Sequence, residues 1–192
     1  MYRNILEQLK AWKNKEHRKP LVLSGARQVG KTYILKRFGE QEFSNVAYIN
    51  CDDNEMAKDL FTQDYNIQRI VLAIGAITRQ SIEAGKTLII LDEIQESKRG
   101  LSALKYFCEN APQYHVAVAG SLLGIAMHKG ESFPVGKVDI LNIYPMTYDE
   151  FLLAKGQRQM ADILRSKDWD TIRLLRTEYI KCLREYYFVR GM

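Results

Sequence analysis

The sequence predicts an α/β domain of three layers, with a five-stranded, mainly parallel sheet between two layers of helices. Three observations carry this reading. Short apolar runs alternate with helical patterns along the chain. A glycine-bearing turn separates the first apolar run from the helix after it. The most apolar run ends in two adjacent acids. Strands covered by helices on both faces read as continuous apolar runs, and that is the mark of a parallel sheet.

The elements follow in order. Ile5, Leu6, Leu9 and Trp12 recur at helical spacing, so the chain opens with an amphipathic helix. Residues 13–19 are charged and solvated. Pro20 introduces Leu21, Val22 and Leu23, the first strand. A helical pattern through Tyr33, Ile34, Leu35 and Phe38 stops near Gly39. Residues 46–50 read as a second strand, 56–61 and 67–78 as helices, and 87–91 as the strongest strand. A helix over 101–110 stops before Pro112, a strand covers 116–119, and a short helix covers 121–128. Val138, Ile140, Leu141 and Ile143 make the fifth strand, and residues 149–155 and 171–189 read as helices. Residues 156–159 form the one candidate linker. The expected organisation is therefore a core over 1–155 and a helical extension over 156–192.

Composition narrows the class. The 192 residues suit one domain, and 46% hydrophobic with 27% charged residues is enough to build a core. The net charge of +5 permits a phosphate-bearing ligand, and no concentrated basic tract singles out nucleic acid. Cys51, Cys108 and Cys182 are odd in number and lack C-x-x-C spacing, which argues against a disulfide framework or a zinc site and fits isolated thiols in a reducing compartment. His17, His115 and His128 lack metal-ligand spacing. No apolar run approaches the roughly 20 residues that span a bilayer, and the first ten residues have no signal-peptide core. A cytoplasmic protein without a membrane partner is expected.

Residues Gly25, Ala26, Arg27, Gln28, Val29, Gly30, Lys31 and Thr32 match G-x-x-x-x-G-K-[ST] at every fixed position, between a strand and a helix. Glycines let the backbone approach phosphate oxygens, successive N–H groups converge on the anion, and the helix adds its positive end. Lys31 then carries charge toward the outer phosphates, Thr32 is a Mg2+ ligand, and Tyr33 completes the nucleotide-binding set. About 60 residues on, Asp92 and Glu93 end an apolar strand at the sheet edge where open α/β sheets bind ligands. Asp92 is the second metal residue, acting through water. Glu93 is the catalytic candidate, as general base or orienting group. An N-cap is the plainer role for the acid pair. Ser121, after the next strand, is a candidate sensor of the γ-phosphate and equally an N-cap. Tyr186, Tyr187 and Phe188 suit core packing or docking better than stacking on bases.

These segments resemble the AAA-type ATPase domain of a large bacterial and archaeal family. The resemblance runs through Pro20 to Thr32 with its Arg27-Gln28 pair, Leu91-Asp92-Glu93-Ile94-Gln95, Ala119-Gly120-Ser121-Leu122-Leu123, Phe133 to Val138, and Tyr144 to Phe151. It implies an additional-strand sheet of order 5-1-4-3-2, ATP and Mg2+ as ligands, and a second domain C-terminal to these residues. It also implies an arginine finger, for which Arg27 and Arg99 are candidates, and an assembly of identical copies. Two positions depart from the family: Lys137 stands where Arg is common, and Arg190 where Gly is. The implied function is a Mg2+-dependent ATPase that couples nucleotide state to a partner or a second domain. The alternatives are a low-turnover nucleotide switch and an ATPase subunit of a nucleic-acid-processing system. A GTP-dependent switch is disfavoured, because no Asn-Lys-x-Asp segment follows a late strand.

Overall fold

The computed structural model describes residues 3–120 and 133–189. The apolar runs become strands: β1 (Leu21–Ser24), β2 (Asn45–Asn50), β3 (Thr87–Asp92), β4 (His115–Gly120) and β5 (Asp139–Asn142). They form one sheet in the order β2-β3-β4-β1-β5, with every pairing parallel. Read from the other edge this is 5-1-4-3-2, the order implied by the resemblance. Every residue of β1, β3 and β4 is buried, whereas β2 mixes buried with half-buried positions and β5 alternates half-buried with exposed ones. Inner strands lose both faces to helices, and edge strands do not.

The helices are α1 (Ile5–Lys13), α2 (Lys31–Glu42), α3 (Glu55–Lys58), α4 (Ile67–Thr78), α5 (Gly100–Asn110), α6 (Tyr148–Ala154), α7 (Arg158–Ser166), α8 (Trp169–Leu174) and α9 (Arg176–Phe188). Asn54 and Asn66 start α3 and α4 by accepting the N–H of Ala57 and Arg69 at 3.1 and 3.2 Å. Each satisfies a donor the helix itself leaves open.

Several boundaries differ from expectation. Gly39 does not stop α2, which continues to Glu42. A Cβ at Gly39 would lie 2.6 Å from Val46 and 3.2 Å from Leu88, so the glycine serves a close helix–sheet approach. The helix expected over 56–61 is a single turn, α3. The helix expected over 171–189 is two, α8 and α9, which meet at Leu175. The candidate linker 156–159 runs into α7, a helix the sequence reading omitted. The helix expected over 121–128 lies outside the described residues.

Contacts divide the described chain into two units. The larger spans residues 7–143 and holds the sheet, with Phe61, Ile70, Ile74, Ile89, Leu91, Leu104 and Phe107 at the heart of its core. Its edge strand β5 begins at Asp139, whose carboxylate binds Lys15 at 2.7 Å and the N–H of Lys19 at 3.1 Å. The smaller unit joins residues 3–6 to 144–189. Its core gathers Phe151, Leu152, Met160, Ala161, Tyr179 and Cys182, so α6, α7 and α9 share one interior. Arg3 and Glu150 form an ion pair at 3.2 Å with both side chains buried, which ties residues 3–6 into this unit. The division falls at 143/144, ahead of the 155/156 break read from the sequence, because Phe151 and Leu152 pack with the later helices. Among the described residues no helix is long and apolar enough to cross a membrane.

Candidate functional site

The C-terminal ends of β1 and β3 bring the two predicted constellations together. The turn after β1 enters α2 through Gly30, at φ 89 and without a side-chain cap, and Gln28 is also left-handed at φ 66. The first bond of the α2 ladder runs from the Ile34 N–H to Gly30 O at 3.0 Å. The amides of Lys31 and Thr32 therefore stand ahead of the ladder, where an anion can receive them. Lys31 is 8% exposed, and its Nζ donates to Gly25 O at 3.0 Å and Ala26 O at 2.7 Å. Burial lowers its pKa, while the charges of Glu93 and Asp92 act against that shift.

Thr32 reaches across to the second constellation. Its hydroxyl donates to Asp92 Oδ2 at 2.5 Å, which leaves the hydroxyl's lone pairs for another partner. Asp92 is 5% exposed, and its Oδ1 accepts the Glu93 N–H at 3.1 Å. Glu93 is left-handed at φ 48, a conformation that costs a non-glycine residue about 1–3 kcal/mol and persists where the surroundings impose it. It precedes the short 3-10 turn Ile94–Glu96 but does not cap it with its side chain, so the N-cap role weighed for the acid pair is not seen there. Instead Gln95 Nε2 donates to Glu93 Oε2 at 2.5 Å, and the buried Gln95 Oε1 has no partner among the described residues.

A cleft of about 630 Å³ lies over these groups. It is lined by Arg27, Gln28, Gly30, Lys31, Thr32, Tyr33, Asp52, Glu93, Gln95 and Glu96. Of the predicted set, Gly25, Ala26 and Val29 lie in the loop without lining the cleft, and Asp92 sits beneath it, bound to Thr32. Ser121 lies outside the described residues. Of the two arginine-finger candidates, Arg27 lines the cleft. Arg99 instead donates to Tyr65 Oη at 3.0 Å and to Thr62 O at 2.9 Å, and Lys137 pairs with Glu109 at 2.8 Å. Arg99 and Lys137 thus have other work in the fold.

Sequence reasoning gave no role to Tyr48, Gln95, Asp52 or Glu96. Gln95 was signalled only as the last residue of the Leu91-Asp92-Glu93-Ile94-Gln95 segment of the resemblance, with no role attached. Tyr48 had no signal, because its approach to Asp92 depends on the pairing of β2 with β3. Cys51 is buried beside the site, and burial, followed by the charges of Asp92 and Glu93, pushes its thiol up to about 12. It is a neutral packing group there.

Residues 17–152 match the family model described as an AAA domain, which is most of the chain and includes the whole cleft. The chain belongs to the AAA-domain family of P-loop ATPases. This AAA domain is also 27% identical over 121 residues to the Replication factor C large subunit of Methanosphaera stadtmanae, covering 58% of this chain and 21% of that protein. The AAA domain thus spans about a fifth of that relative's length. Among solved structures it is similar to two RuvB variants from Thermotoga maritima. One has a TM-score of 0.50 at 18% identity, over 76% of this chain and 45% of the other. The second has a TM-score of 0.51 at 14% identity, over 77% and 47%. At these identities the likeness is one of fold.

Proposed function

We propose that this AAA domain binds ATP with Mg2+ in the cleft and hydrolyses it to ADP and phosphate in the cytoplasm, coupling nucleotide state to a partner or a further domain. The observation that carries this reading is the 2.5 Å bond between Thr32 and Asp92, with Lys31 and Glu93 lining the same cleft. Thr32 and Asp92 offer only hard oxygen donors, which suit Mg2+. When bound, Mg2+ neutralises charge on the outer phosphates.

The residues divide the work. The uncapped start of α2 receives phosphate oxygens, and phosphate competes with Gly25 O and Ala26 O for the Lys31 ammonium. Water adds to the γ-phosphorus, the bond to the bridging oxygen breaks, and ADP leaves with the electron pair. Glu93 Oε1, the oxygen not held by Gln95, receives or orients the proton of that water. Calorimetric titration with ATP and GTP, with and without Mg2+, tests the reading on the parent and on Lys31→Ala. ATP binding to the parent, its loss in the variant and weak GTP binding are expected. No nucleotide binding to the parent overturns it.

One observation favours a second reading, a low-turnover switch. Glu93 Oε2 is held by Gln95 at 2.5 Å, and a restrained Glu93 is slower to meet water. Under this reading Gln95→Leu raises turnover severalfold. Under the first it leaves turnover unchanged or lowers it.

A further inference from the structure

One side chain outside the predicted site reaches it from a neighbouring strand. Tyr48 lies on β2, in register with Ile90 of β3. Its hydroxyl stands 3.3 Å from Asp92 Oδ2, the oxygen that also takes the Thr32 hydroxyl hydrogen. With the Glu93 N–H on Oδ1, the buried carboxylate has three donors, from α2, from β2 and from its own turn. The Tyr48 ring is itself seated, with Lys36 Nζ 3.4 Å from its centroid. Lys36 follows Thr32 by one helical turn, so one face of α2 supplies both the hydroxyl on Asp92 and the cation over the ring.

We propose that Tyr48 is a positioning residue for the cation site: its hydroxyl fixes the Asp92 carboxylate in the orientation that accepts Mg2+, and Lys36 holds the ring that carries it. The inference rests on the proposed reading that Thr32 and Asp92 take Mg2+. Thr32 on Oδ2 and the Glu93 N–H on Oδ1 hold the carboxylate from α2 and from its own turn, and Tyr48 adds a second donor to Oδ2 from another strand, which narrows its remaining rotation. A phenol does this without bringing a charge. A lysine or arginine in its place would neutralise the carboxylate and compete with the metal. Partners one step removed from a metal change its affinity by about 10–100-fold. At 3.3 Å the bond is at the long end of the useful range, which places the expected effect near tenfold.

A plain structural contact between β2 and Asp92 would alter stability and leave the metal requirement alone. The experiment therefore measures nucleotide affinity of the parent, Tyr48→Phe and Lys36→Met across a Mg2+ titration, together with the unfolding midpoint of each. In Tyr48→Phe the affinity without Mg2+ is expected to be parental. The Mg2+ concentration that gives half the gain in affinity should rise about tenfold. Lys36→Met should move it the same way by less, and it carries the test alone if Tyr48→Phe fails to fold. A parental Mg2+ requirement in Tyr48→Phe overturns the inference, whatever happens to its unfolding midpoint. A parent that binds nucleotide with no Mg2+ effect removes instead the Mg2+ reading beneath it, and the inference falls with that reading.

Discussion

Replacing Gly25 by alanine should injure both the fold and the phosphate loop. A Cβ built there lies 2.4 Å from the Ile143 carbonyl oxygen and 2.7 Å from Ile143 Cγ2. The first distance is 1.0 Å inside the 3.4 Å at which ordinary contact begins (3.4 − 2.4). The obstacle is backbone, so no rotamer relieves it. Nor does Ile143 retreat freely, because its N–H donates to Ser24 O at 2.8 Å and fixes the end of β5 to the end of β1. Overpacking costs about 1–3 kcal/mol, and weakening that hydrogen bond adds about 1 kcal/mol. The sum, about 2–4 kcal/mol, corresponds to a fall in Tm of about 4–16 °C for a chain of this length. The loop should yield before β5 does, carrying Gly25 O, Ala26 O and Lys31 with it, and nucleotide affinity should drop by about tenfold or more, or at least about 1.4 kcal/mol. Gly85→Ala is the control. Gly85 has φ +77 and open space around its missing Cβ, so alanine there costs about 1–2 kcal/mol of backbone strain and touches nothing in the cleft. Thermal unfolding and calorimetry on both variants separate the effects, since only Gly25→Ala should lose nucleotide. A Gly25→Ala protein with parental Tm and parental affinity would refute the argument.

Other expectations follow from single contacts. Glu93→Gln should bind nucleotide within about twofold of the parent and lose about a hundredfold or more in turnover, read by phosphate release; equal turnover would remove Glu93 from the chemistry. Arg3→Met leaves Glu150, 3% exposed, without its cation and should cost about 3 kcal/mol in urea unfolding. Burial, helped by the Arg18 charge nearby, lowers the His115 imidazole to about 4. The unfolded chain then binds the extra proton from about pH 6.5 downward and the folded chain only near 4, so stability should decline as pH falls through that window. In His115→Phe the decline should be smaller, and an unchanged Tm-versus-pH curve would contradict the assignment.

The fold was largely legible because burial leaves a direct trace in sequence. β1, β3 and β4 lose both faces to helices, and each announces itself as an unbroken apolar run. The phosphate loop was legible because its chemistry restricts residue types at fixed spacing. What escaped depended on partners distant in the chain. Gly39 reads locally as a stop, and its real constraint comes from Val46 and Leu88. The break at Leu175 lies inside a pattern that remains helical on either side. Arg99 reads as a free cation until Tyr65 and Thr62 are seen beside it. The grip of Gln95 on Glu93 occurs beside a left-handed backbone at Glu93, and residue type alone discloses neither.

The two ends of the sheet bear on how copies of the domain avoid one another. An open edge is a template for another chain's strand. Here β5 offers four residues, and it opens with an aspartate already engaged by Lys15 and by the Lys19 amide. At the opposite edge β2 is bracketed by Asn45 and Asn50, with Asp52 and Asp53 just beyond. Short length and polar ends leave little for a strand to zip onto. Crowded or partly unfolded copies are thereby discouraged from growing into a continuous sheet.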